Sequence, residues 1–274
     1  MKKLIVTADD VGLHPGMTLG ALAAYDGGIV TAVSVSASGR ALDHAVERLQ
    51  DRPKLDVGIH LTLVGERPLS PPEAIPSLLG KDGALLPGFQ AFAAHYFLGR
   101  LRQSEIEAEL RRQIERLLAT GLRIVHANSH QHLHVLPRVL EVVLRLAEEH
   151  RIPFVRLPWD PAVRTRWSLR TAQLRVLNHF GRKARRRTGV KTPDRTIGLI
   201  DAGHLTVESF RRALEHVEGT AELACHPGLG NAELAAEYDW DYAWDEETAA
   251  LRDSRLPGLL QEMGVELASF TGLR

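Results

Sequence analysis

The chain reads as an α/β protein with mostly parallel strands, in a barrel-like domain more than an open sheet. Three observations predict this. The first 63 residues alternate strand, helix, strand, helix and strand at a spacing that suits a parallel sheet with right-handed crossovers. Six to eight strand-like runs alternate with helices along the chain, which favours a barrel over an open sheet. Four of those runs end in residues able to do chemistry, and parallel folds gather such residues at the carboxyl ends of their strands.

The elements follow in order. Residues 4–8 form a short apolar, partly β-branched run, read as a buried strand that ends at Asp9-Asp10-Val11-Gly12. Residues 17–26 read as a helix closed by Gly27-Gly28. Residues 30–37 are a second strand, and residues 41–50 a helix with Leu42, Ala45, Val46 and Leu49 on one face. Residues 55–63 form a third strand carrying Gly58-Ile59-His60. Residues 64–100, with five prolines, are an irregular insertion of the kind that serves as a lid or binding loop; Phe89, Phe92, Tyr96 and Phe97 give it something to bury. Ser104-Glu105-Ile106-Glu107 reads as a capping box opening a helix that Gly121 ends. Residues 124–128 are a fourth strand, 139–150 a helix with Pro137 in its first turn, and 153–157 a fifth strand. Residues 160–195 are rich in Arg and Lys, and 196–200 form a short strand. Thr206 caps a helix to about residue 216, residues 222–225 are a strand ending at His226-Pro227-Gly228, residues from 246 are helical, and 265–270 are the last strand.

With 274 residues, 44% of them hydrophobic, the chain can bury a large core, and we read residues 1–274 as one domain. Lys+Arg and Asp+Glu both number 34, so overall charge offers nothing to nucleic acid. One cysteine, Cys225, excludes an intramolecular disulfide and fits a reducing compartment. Asp9 and Asp10 interrupt the N-terminal apolar run too early for a signal peptide, and no apolar run approaches the roughly 20 residues that span a bilayer. These features predict a cytoplasmic protein.

Asn128-Ser129-His130-Gln131-His132-Leu133-His134 sets three histidines at alternate positions. In a strand they would share a face; if the strand ends near Ser129, they fan round a turn. Two imidazoles and one carboxylate make an open metal site that keeps positions for water and substrate. The spare aspartate of the Asp9-Asp10 pair is then a candidate base, and a further imidazole can protonate a leaving amine. Bland readings compete: an Asp pair after a strand can be a cap, and His60 in an apolar run can be a core residue. The coincidence of four strand ends favours chemistry.

Thr7-Ala8-Asp9-Asp10-Val11-Gly12, Gly58-Ile59-His60-Leu61, the histidine stretch and Cys225-His226-Pro227 resemble the YdjC-like carbohydrate deacetylases, in order and over nearly the whole chain. The resemblance implies a distorted TIM-like (β/α) barrel that hydrolyses an N-acetyl group from an amino sugar. It implies one divalent metal ion held by Asp10, His60 and His130, with Asp9 as general base and His226 as acid. Val11 departs from the aromatic residue usual there, which reshapes one wall of the pocket. Arg156 is expected to orient Asp9 or the substrate; His132 and His134 are expected to face substrate or stand behind the ligands, ahead of His126. The donor set suits Zn²⁺, Co²⁺ or Ni²⁺, whereas family usage includes Mg²⁺.

Within that family, Val155-Arg156-Leu157-Pro158-Trp159, Asp201-Ala202-Gly203-His204-Leu205-Thr206 and the long insertion resemble the hopanoid-biosynthesis-associated (HpnK-like) branch. That implies a lipid-linked substrate with an N-acetylglucosamine head. The basic run at 182–191 would then touch anionic headgroups, a peripheral membrane contact, and the aromatics at 89–97 would accept lipid; a solvated loop and ordinary core packing are the competing readings. A homodimer is compatible with all of this. Two alternatives stay open: a metal-dependent amidohydrolase or phosphoesterase acting on another small molecule, and an inactive sugar- or lipid-binding relative.

Overall fold

The computed structural model describes residues 2–164, 169–185 and 190–273. Eight parallel strands form one curled sheet: β1 (Lys2–Val11), β2 (Ala32–Val35), β3 (Asp56–Leu61), β4 (Ile124–Ser129), β5 (Phe154–Val155), β6 (Arg195–Ile197), β7 (Thr220–Cys225) and β8 (Val265–Leu267). Their order is β5-β4-β3-β2-β1-β7-β6, with β8 beside the start of β1. The curl brings the two edges together: Val155 N–H donates to Lys191 O at 3.0 Å and Thr196 N–H to Trp159 O at 3.1 Å. This TIM-like arrangement is the barrel-like α/β domain that the alternation of elements predicts.

Apart from the short edge segment β8, the strands are buried on both faces along nearly all their length, as a parallel sheet covered by helices requires. On β1, Leu4, Val6 and Ala8 face outward into the large apolar cluster under the helices. That cluster includes the apolar faces of α1 (Pro15–Asp26), α2 (Leu42–Gln50), α4 (Gln103–Leu118) and α5 (Pro137–Glu149). Ile5 faces the barrel interior with Ala32, Val125, Phe154 and Phe270. Phe270 stops the bottom of the barrel, stacked on His126 with ring centroids 4.3 Å apart. Thr271 fixes this plug, donating from N and Oγ1 to Asp56 at 2.9 and 2.8 Å.

The insertion after β3 holds two 3-10 turns and a helix, α3 (Phe89–Phe97). It is tied down by a polar stripe on α4, at helical spacing. Glu105 accepts from Ser77 N–H (2.7 Å), Glu109 from Leu69 and Ser70 N–H (3.0 and 2.9 Å), and Gln113 bonds both Thr62 N–H and Thr62 O. The expected capping box at Ser104 is corrected. The helix starts at Gln103 with Arg102 at its N-cap and no side-chain cap, so Ser104 lies inside the first turn, and Glu107, which the box would need, pairs instead with Arg111 and Arg145. Thr206 does cap α7 (Val207–Leu214), in a reciprocal pair with Ser209. α6 (Leu169–Arg185), α8 (Asn231–Glu237), α9 (Trp244–Leu251) and α10 (Leu256–Glu262) complete the set among the described residues. The middle of the basic run, 186–189, lies outside them. No described helix is long and apolar enough to cross a membrane.

Candidate active site

β1 does not end before the aspartate pair; it carries it. Strand alternation points Asp9 inward after Ile5 and Thr7, and would point Asp10 outward. Instead the register slips between Ala8 and Val11, and Asp10 adopts φ of +64°. This left-handed residue turns the second carboxylate to the same rim. Asp tolerates that conformation better than most side chains, at a cost of about 1–2 kcal/mol.

β4 ends at Ser129, and His130 opens a 3-10 turn broken by Gln131 (φ 53°) and His132 (φ 55°). The three histidines therefore fan round a turn. His130 Nδ1 lies 3.0 Å from Asp10 Oδ1. His132 lines the adjoining cavity of about 280 Å³; burial drives its pKa well down, so it is neutral. His134 folds back as a brace, Ser129 Oγ at 2.7 Å from Nδ1 and Arg156 O at 2.6 Å from Nε2.

Asp10, His60 and His130 are brought together with one ligand atom each, all within 4.8 Å of one another, forming the one such group among the described residues. His60 Nε2 stands 3.1 Å from Asp10 Oδ1, yet this buried nitrogen has no hydrogen bond of proper geometry. Its tautomer is set from behind. Asn128 Nδ2 donates to Asp9 Oδ1 (2.9 Å) and Ser34 Oγ (2.8 Å), so Asn128 Oδ1 faces His60 Nδ1 at 2.7 Å and Nδ1 carries the hydrogen. Nε2 then offers a lone pair to the point that Asp10 and His130 also face. Two acceptors at that distance repel unless a cation or proton lies between them. Without a cation, burial lowers the His60 pKa, but Asp10, Asp9 and Asn128 outweigh it and the net shift is upward.

Asp9 is held beside this trio by a buried bidentate pair with Arg156, whose Nη2 is 3.0 Å from Asp9 Oδ1 and 2.7 Å from Glu222 Oε1. Thr7 Oγ1 donates to the same Glu222 oxygen at 2.8 Å. Burial raises the Asp9 pKa, but Arg156 and the nearby imidazoles overcome this and hold the carboxyl well below the usual range. Asp10 is likewise held down, mainly by His130 against the cost of burial. Asp9 and Glu222 share the Arg156 guanidinium, and Asp10 and Glu247 are buried at the same end of the barrel, so negative charge is in excess there. A divalent cation would offset that excess. The donor set, the aimed lone pair and the charge all fit such an ion.

His226, after β7, lines the same cavity as Asp9 and His60. Its backbone N–H donates to Glu247 Oε1 at 2.5 Å, and its ring lies 5.2 Å from Tyr242. His126 is set deeper, its Nε2 3.1 Å from Ser34 Oγ; burial lowers its pKa to about 3. The ring lies over Gly58, where an added Cβ would come within 2.3 Å of Nε2, so only glycine leaves it room. Sequence reasoning missed Ser34, Asn128 as a hub, and Glu222; polar residues at alternate positions in β2, β4 and β7 were the available signal. It also missed Glu66, whose carboxyl burial raises to about 7 and which feels His130 and Asp10.

Fold and site together define a class: parallel α/β barrels whose strand ends gather two histidines and an aspartate in a candidate divalent-cation site, with a second aspartate fixed alongside. Comparison with known proteins narrows the class. The chain belongs to the YdjC-like protein family, whose sequence profile matches residues 3–262. It is 34% identical to a carbohydrate deacetylase of Geobacillus stearothermophilus over 97% of this chain and 96% of that protein. It is 30% identical to a carbohydrate deacetylase of Brevibacillus brevis over 99% of each. Among solved structures it is similar to a candidate cellobiose-phosphate cleavage protein of Enterococcus faecalis, with a TM-score of 0.78, 26% identity, and coverage of 99% of this chain and 98% of that one.

Proposed function

We propose that this protein is a divalent-metal-dependent carbohydrate deacetylase that removes acetate from an N-acetylated amino sugar. The observation that carries the reading is an ionised aspartate, Asp9, clamped beside a three-donor cluster in the wall of a cavity. The names of the two carbohydrate deacetylases support the substrate class.

In this reading Asp10, His60 and His130 hold the ion. When bound it supplies Lewis acidity toward the acetyl carbonyl and acidifies water towards a pKa of roughly 7. Asp9 orients the attacking water and takes its proton; a carboxylate held so firmly ionised accepts a proton only from water that is already acidic. Arg156 keeps Asp9 charged and aimed, and Asn128 ties its position to His60. His226 gives a proton to the nitrogen as the C–N bond breaks, releasing acetate and a free amine. His132, neutral at the cavity wall, faces the substrate, while His134 braces Arg156 through its carbonyl. The donor set suits Zn²⁺, Co²⁺ or Ni²⁺, and Mg²⁺ remains the alternative that the family resemblance supplies.

A finer form of the proposal places the amino sugar on a hopanoid lipid. Its support is the branch-specific sequence segments and the exposed Phe97 and Leu98 (63% and 64%) at the far end of α3, whose first residues line the cavity. The deciding experiment is acetate release from N-acetylglucosamine glycosides by protein stripped of metal and reloaded. Activity restored by a divalent ion supports the reading; a metal-free protein of full activity, or no acetate from any such glycoside, contradicts it.

A further inference from the structure

The segment joining α8 to α9 reads Tyr238-Asp239-Trp240-Asp241-Tyr242-Ala243-Trp244, an aromatic residue at every second position. The rings form a continuous row. Centroids are 4.6 Å apart for Tyr238 and Trp240, 5.7 Å for Trp240 and Tyr242, and 5.7 Å for Tyr242 and Trp244. Trp244 anchors the row in a buried cluster with Leu13, Met17 and Leu234. A row built for packing alone would bury the others too. Trp240 and Tyr242 are only partly buried, and both line the cavity over the candidate site.

Their placement relates to the chemistry on both sides. The Trp240 ring is 5.0 Å from His130, and the Tyr242 ring is 5.2 Å from His226. Tyr242 is pressed against Gly203, whose φ is +81° and where an added Cβ would stand 2.1 Å from the ring. The backbone follows, Ala243 N–H donating to Gly203 O at 2.8 Å. So Gly203 fixes where the Tyr242 face lies. Elsewhere on the wall, Gln131 is set by its left-handed backbone, and its Oε1 accepts from Phe89 N–H at 2.6 Å. That bond leaves the Nε2 hydrogens as the end Gln131 can offer to the cavity it lines.

The geometry points to Trp240 and Tyr242 as the platform on which one pyranose ring of the substrate lies, with Gln131 donating to an oxygen of that ring. A sugar ring has a face of C–H groups that packs on an aromatic plane and a rim of oxygens that needs donors. A cavity of about 280 Å³ is at the small end for ligand sites, which suits one ring rather than an extended chain. This deepens the deacetylase reading and rests on it for the identity of the sugar. Trp240 and Tyr242 are specificity-determining residues here, with no role in proton transfer.

The test uses zinc-loaded full-length protein and the methyl β-glycoside of N-acetylglucosamine. Calorimetric binding is measured in an Asp9→Asn background, and acetate release in the wild-type background. Trp240→Ala is expected to weaken binding and raise KM by about tenfold or more, with kcat within about threefold and zinc affinity within about twofold; Trp240→Phe restores most of the loss. Gln131→Ala is expected to raise KM by about threefold to tenfold. If Trp240→Ala does not fold, Trp240→Leu is judged by the same limits. Unchanged KM with normal acetate release overturns the platform and leaves the deacetylase reading standing. Sugar binding that is lost in Trp240→Ala, with no acetate from the wild type, supports the platform and sinks the deacetylase reading. Loss of zinc affinity in step with activity overturns the platform in favour of a prop for His130.

Discussion

The lower and upper halves of the barrel interior are built from the same strands and differ in almost everything else. Below, Ile5, Ala32, Val125, Phe154 and Phe270 form an apolar plug. Further up β1, β2 and β4, just past β5, and on β7, Thr7, Asp9, Ser34, Asn128, Arg156 and Glu222 form a buried polar network. The plug stabilises by removing apolar surface from water. The network does little for stability compared with apolar side chains of the same volume, because desolvating the charges offsets their attraction. Its place at the end that carries the cavity fits the chemistry proposed above, and the two halves should respond differently to substitution.

The largest effect expected is in the upper half. Asp10→Ala should lower metal affinity by more than about a hundredfold and abolish turnover; Ala tolerates the left-handed conformation less well than Asp, so Tm should also fall by a few degrees. Metal content and thermal melts check this. Asp9→Asn should keep its metal and lower kcat by about 10²–10⁴; near-normal kcat would remove Asp9 from the reaction. In the lower half, Phe270→Ala should cost about 3–5 kcal/mol in denaturant unfolding, yet leave kcat of the folded protein within about threefold. A kcat collapse there would erase the proposed division.

Two smaller effects sharpen the boundary between the halves. Asn128→Leu removes the group that sets the His60 tautomer and should weaken metal binding by about 10–100-fold, as measured by chelator competition. His126 sits where the halves meet. Burial lowers its pKa from 6.5 to about 3, with Arg156 adding to the effect. Between those values the unfolded chain binds the extra proton, so stability is intact above pH 6.5 and declines as pH falls towards 3. His126→Phe should flatten that part of the Tm–pH curve by a few degrees; an unchanged slope would show that other groups dominate.

Much of the site was legible because parallel strands bring their ends together. Asp9, Asp10, His60, His130 and His226 stand where runs of apolar residues stop, and the structure gathers them round one cavity rim. The conformations that aim them were not legible. Strand alternation would send Asp9 and Asp10 to opposite faces, and only the register slip with Asp10 at φ +64° undoes that. The histidine stretch allowed either a shared face or a fan, and the left-handed pair Gln131 and His132 decides for the fan. Arg156 and Asp9, 147 positions apart, meet through closure of the barrel. Glu105, Glu109 and Gln113 hold the insertion, a role their spacing alone does not reveal, and the capping box expected at Ser104 is absent because the helix starts one residue earlier, at Gln103.

The central claim is that Asp10, His60 and His130 close round one divalent cation beside Asp9. The most direct measurement is anomalous diffraction from crystals grown with Co²⁺ or Zn²⁺. The account predicts one strong peak about 2.0–2.2 Å from Asp10 Oδ1, His60 Nε2 and His130 Nδ1, lost in Asp10→Ala. A peak elsewhere, or one that survives Asp10→Ala at full height, would contradict it.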